Sequence, residues 1–60
     1  MIPKDPVILL SYVNTWCRDH DADFGEFLKN HALPEEEGAA LRAKLEAIGY
    51  HLEEDGRRFS

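Results

Sequence analysis

The stretch PVILLSYVNTWCRDH, Pro6–His20, limits what this chain can become more than any other part of it. At a helical step, Leu9, Leu10, Tyr12, Val13, Trp16 and Cys17 fall on one arc, and Ser11, Asn14, Thr15 and Arg18 fall opposite. The arc is about 160° wide, against roughly 100° for an ordinary surface helix. A helix with so broad an apolar side has to be covered by more than one neighbour. It is therefore the expected centre of the fold. Asp5-Pro6 supplies its start: an aspartate that can accept from the first free N–H groups, then a proline where a missing N–H costs nothing.

The remaining elements have to pack around this helix. Asp23 followed by Glu26 has capping-box spacing and predicts a second helix over 24–31, with Phe24, Phe27 and Leu28 on one side. Pro34 and Glu35-Glu36-Glu37 predict a third helix over 34–48, where the acidic first turn suits the helix dipole. Leu41, Leu45 and Ile48 form its apolar stripe, Ala40, Ala43 and Ala47 flank it, and Gly49 stops it. In 50–60, YHLEEDGRRFS, Asp55-Gly56 reads as a two-residue hairpin turn. That register sets Glu54 opposite Arg57, Glu53 opposite Arg58 and Leu52 opposite Phe59. The expected fold is α+β and mostly α: one three-helix domain over 1–60 with a C-terminal β-hairpin. Its core would be Leu9, Leu10, Val13, Trp16, Cys17, Phe27, Leu28, Leu41, Leu45 and Ile48, closed by Tyr50, Leu52 and Phe59.

Size and charge narrow the function. Sixty residues make one domain, and a domain this small buries only about 60% of the surface of its unfolded chain. The single cysteine cannot form an intrachain disulfide and fits a reducing compartment, so a cytoplasmic location is expected. Ser11 and Asn14 interrupt the N-terminal apolar run and no small-residue cleavage site follows, so a signal peptide is not expected. No run approaches the roughly 18 apolar residues of a membrane span. Twelve acids against seven bases give a net charge of −5, which weighs against polyanion binding.

The opening and the close of the chain resemble a small bacterial family, domain of unknown function 4250. The resemblance rests on Pro3, Asp5 and Pro6, on Leu9, Leu10, Ser11, Val13 and Asn14, on Arg18 and Asp19, and on Leu45, Ile48, Gly49 and Tyr50. It covers essentially the whole chain and is most specific over 3–19, while about 22–38 departs from the family pattern. It implies a compact bacterial cytosolic protein and no activity.

Each chemical motif is incomplete. Asp19-x-Asp21-x-Asp23 matches the first ligand positions of a calcium loop, but Phe24 stands where glycine is required and Asn30 where the bidentate glutamate belongs. Cys17 and His20 have a metal-pair spacing, with only the distant His31 and His51 to complete a site. The same pair lacks an orienting third group for nucleophilic catalysis. No enzyme activity, metal or cofactor is expected. A helix-turn-helix adaptor for nucleic acid would have to use Arg42, Lys44, Arg57 and Arg58, and the third helix opens on three glutamates. The favoured reading is a non-catalytic protein-interaction or homodimerisation module. Its contact surface would include Tyr12, Phe24, Ala43, Ala47 and Phe59.

Overall fold

The structure, a computed structural model, describes residues 2–60 and places them within 24 × 21 × 18 Å. Three helices follow in order: α1, Pro6–His20; α2, Phe24–Asn30; and α3, Glu35–Ala47. α1 packs against both of the others. No described helix is long and apolar enough to cross a membrane.

The helix starts follow the side-chain chemistry. Asp5 Oδ1 accepts from the Val7 N–H (2.9 Å) and the Ile8 N–H (3.3 Å), which satisfies two otherwise unpaired donors of α1. Asp23 Oδ1 accepts from the Glu26 N–H at 2.8 Å and starts α2. Pro34 is itself the cap residue of α3, so the helix begins one residue later than expected, and the Pro34 side chain makes no cap bond.

All three helices end in the same way. The Ala22 N–H reaches the Cys17 carbonyl, Leu33 reaches Leu28, and Tyr50 reaches Leu45, at 2.9, 2.9 and 3.0 Å. The preceding residue of each pair, Asp21, Ala32 or Gly49, is in the left-handed conformation. These are Schellman turns, which satisfy orphan carbonyls and send the chain back along the helix. Each return is tight, so short connections bring α2 and α3 back onto α1. Gly38 is buried at the α2–α3 contact, where an added Cβ would lie 2.5 Å from Leu28 Cδ1.

Residues 50–60 correct the expected fold class. The described residues contain no strand and no sheet, so the domain is all-α and the C-terminal β-hairpin is absent. The segment is a reversed loop with one antiparallel bridge, Leu52 to Phe59. His51 and Ser60 exchange two backbone bonds at 2.9 Å. One more bond crosses the loop, from the Glu53 N–H to the Arg58 carbonyl at 2.9 Å, and the chain then turns as the Glu53 carbonyl accepts from the Gly56 N–H at 2.8 Å. That bond makes Glu54 and Asp55 the turn centre and leaves Gly56, at φ 71°, as an extra left-handed residue on the return side. Arg58 pairs with Glu53 at 3.2 Å, whereas Arg57 leaves the loop and bonds Asp21, the residue that caps the C-terminal end of α1, at 2.7 Å.

The core comprises Leu9, Val13, Cys17, Phe24, Phe27, Leu45 and Phe59, with Leu10, Trp16, Leu28, Leu41 and Leu52 packed half-buried against it. Ile48 and Tyr50, expected in the core, are 37% and 38% exposed. Both lie at the turn that ends α3, where the stripe of Leu41 and Leu45 has already passed the edge of α1. Phe24 is in the core instead: its ring meets Phe59 edge-on at 5.1 Å and stacks with Phe27 at 6.0 Å.

Candidate interaction surface

Asn14 fixes one side of α1. Its Nδ2 donates to the Phe59 carbonyl at 3.0 Å, and its Oδ1 accepts from the Phe59 N–H at 2.9 Å. One side-chain amide thus occupies both outward-facing backbone groups that a further strand alongside the tail would have used. It seats the Phe59 ring in the core, where 2% of the residue stays exposed. Beside this contact lies an open cleft of about 420 Å³, lined among others by Thr15, Cys17, Arg18, Arg57 and Arg58.

The cleft has little reactive chemistry available. Burial, then the charges of Asp23 and Glu26, push the Cys17 thiol above its ordinary pKa, so it holds its proton at neutral pH. A protonated thiol is neither a nucleophile nor a ready metal ligand. His20 does not face it: the ring stacks on Trp16 at 4.1 Å and bonds the Trp16 carbonyl through Nδ1 at 2.9 Å. His31 bonds the Phe27 carbonyl through Nδ1 at 2.8 Å and the Tyr12 hydroxyl through Nε2 at 2.9 Å. A carbonyl only accepts, so Nδ1 carries the proton and, in the neutral ring, Nε2 accepts from Tyr12. The three aspartates of the calcium-like spacing are each engaged: Asp19 with Arg18, Asp21 with Arg57, and Asp23 as the cap of α2. Among the described residues no group of three His, Cys, Asp or Glu side chains is arranged to hold a metal.

The solvent-facing surface of α1 next to this cleft, with Thr15 shared between the two, is apolar and open. Pro3, Val7, Ile8, Ser11, Tyr12 and Thr15 line a shallow groove of about 480 Å³. Val7 is 65% and Ile8 58% exposed, the largest exposures of any bulky apolar side chains among the described residues. Of the five residues expected at a contact surface, Tyr12 alone lines this groove. Phe24 and Phe59 are buried in the core, because Phe59 is drawn in by Asn14 and Phe24 packs against it. Ala43 and Ala47 are exposed on α3. The sequence carried a signal for Val7 and Ile8 that the helical arc concealed: they are apolar residues of α1 that lie outside its apolar arc.

The basic residues required by a nucleic-acid reading are dispersed and engaged. Arg42 pairs with Glu46 at 3.3 Å along α3, Lys44 donates to the Lys4 carbonyl at 3.3 Å, and Arg57 and Arg58 each hold a carboxylate.

The family model for domain of unknown function DUF4250 matches residues 3–59. The chain belongs to the DUF4250 family. The match runs from Pro3 at the lip of the apolar groove to Phe59, the residue clamped by Asn14, so the groove and the clamp both lie within the family domain. No match was found among the curated proteins or among the solved structures.

Proposed function

We propose that this DUF4250 domain is a non-catalytic protein-interaction module whose contact surface is the apolar side of α1 around Val7 and Ile8. The observation that carries the reading is the exposure of those two side chains beside one another in a groove with almost no polar lining. Isolated surface apolar residues are ordinary, but a contiguous apolar patch on a small domain points to a partner. The interior is otherwise self-sufficient: no buried side-chain polar atom among the described residues lacks a hydrogen-bond partner. A non-catalytic role is supported by a protonated, buried Cys17 and by His20 and His31, each occupied with a backbone carbonyl and an aromatic neighbour. The paired arginines and the net charge of −5 favour a protein partner over nucleic acid. The lone thiol is in keeping with a bacterial cytoplasmic setting.

Photo-crosslinking tests the reading. A benzophenone side chain is placed at position 8, and separately at position 36 in the first turn of α3, in the full chain inside cells. Adducts formed from position 8 and not from position 36 are the expected result. No adduct from position 8, or the same adducts from both, overturns it.

A further inference from the structure

Four of the seven basic side chains in this chain are arginines, and three of those four, Arg18, Arg57 and Arg58, line the cleft beside the Asn14 clamp. Arg18 comes from the last turn of α1 and the other two from the tail, so the bonds from Asn14 to Phe59 are what bring the three together. We propose that this cleft binds a small phosphate monoester, held by the three guanidinium groups. The site is separate from the apolar patch of Val7 and Ile8, and the inference goes beyond the protein-interaction reading.

The donors suit such an anion. A guanidinium offers its N–H groups in a planar fork that matches phosphate oxygens two at a time. All three arginines are exposed, and their contacts within the chain leave most of those groups unspent. Arg18 uses Nε and Nη2 on Asp19, Arg57 uses Nη1 on Asp21, and Arg58 meets Glu53 through Nε. Ion pairs so open to water are weak, so a dianion can draw the guanidiniums toward itself at little cost. Thr15 adds an exposed hydroxyl at the rim. Cys17 is buried and keeps its proton at neutral pH, so it brings no negative charge to the cleft. Asp21 and Asp55 also line it, and Arg57 occupies one oxygen of each, Asp21 through the side chain and Asp55 through the backbone N–H at 3.0 Å. The lining therefore sets three positive charges against two negative ones, on a chain whose net charge is −5. Charge and size then select the ligand. A phosphate monoester carries about −1.5 to −2 charge at neutral pH and three acceptor oxygens, enough to meet three guanidiniums, whereas a carboxylate has two. The cleft, at about 420 Å³, is of small-molecule size, and the acidic surface around it disfavours a long polyanion.

Titration of the full chain with glycerol phosphate, and separately with acetate, tests this by two-dimensional NMR at constant ionic strength. Glycerol phosphate is expected to give saturable shifts at Thr15, Arg18, Arg57 and Arg58, the arginine Nε–H signals included, while Val7 and Ile8 stay still. Acetate should bind about tenfold more weakly, since it offers fewer oxygens and less charge. Arg18→Gln and Arg58→Gln each remove one charged donor group and should weaken glycerol phosphate binding about tenfold. Arg42→Gln, on α3, should leave it unchanged. Circular dichroism of all three variants should match the wild type, since none of these residues is in the core. Shifts that grow without saturating, acetate binding as tightly as glycerol phosphate, or either cleft variant binding like the wild type overturns the phosphate site. Crosslinks from position 8 report on a different surface and stand or fall separately.

Discussion

The amide of Asn14 holds both backbone groups of Phe59 from a position 45 residues away in the chain. Both bonds are part-buried, so removing the amide strands two groups that water reaches poorly. Asn14→Ala should destabilise the domain by about 2 kcal/mol in urea unfolding. Asn14→Asp should be no better, because a carboxylate oxygen would face the Phe59 carbonyl. In both variants the Phe59 amide should lose its hydrogen-exchange protection while α1 keeps its own. Cys17 makes a prediction of a different kind. Its folded pKa is raised, so the folded chain keeps the thiol proton at a pH where the unfolded chain has lost it. This contribution is therefore fully present below the unfolded thiol pKa of about 8.5 and is lost as pH rises through the folded value. Stability should fall across that alkaline window in the wild type. Cys17→Ala, though less stable at neutral pH by about 1 kcal/mol, should lack the component of the slope due to the thiol.

The ends of the helices show what could and could not be read in advance. Asp5-Pro6 and the Asp23-to-Glu26 spacing announce helix starts because a side chain does the capping, and α1 and α2 begin where those residues predict. Two of the three ends had no such marker. Asp21 and Ala32 adopt left-handed backbone conformations that glycine adopts at much lower cost, and only the backbone bonds to Cys17 and Leu28 reveal them. Ala32 is exposed and its left-handed conformation is strained by about 1–2 kcal/mol. Ala32→Gly relieves that strain and returns part of it as unfolded-chain entropy, for a net gain of about 0.5–1 kcal/mol. In thermal melts the midpoint should rise by a few degrees, at roughly 4–8 °C per kcal/mol for a chain of this size. The tail was misread for a related reason. Asp55-Gly56 carries the residues of a two-residue loop, but the Glu53 carbonyl closes on Gly56, and the edge that would have extended a sheet is occupied by Asn14. Neither choice leaves a trace in local sequence pattern, because both depend on residues brought together by the fold.

Considered as one body, the domain is closed on three sides of α1 and open on the fourth. α2 covers the side bearing Tyr12 and Trp16, whose rings meet Phe27 edge-on at 5.8 and 5.5 Å, α3 brings Leu45 into the core, and the tail is clamped by Asn14. The wide apolar arc correctly identified α1 as the central helix. It also drew attention to the residues that are buried, so the expected contact surface contained two core phenylalanines and left out Val7 and Ile8. The account stands on those two side chains being the place where the molecule meets another. Amide chemical shifts followed by two-dimensional NMR as the protein captured by the position-8 crosslinks is added test this most directly. Shifts should move at Val7, Ile8, Ser11, Tyr12 and Thr15, while Ala43 and Ala47 stay still. Changes centred on Ala43 and Ala47, or a spectrum that does not change, would contradict it.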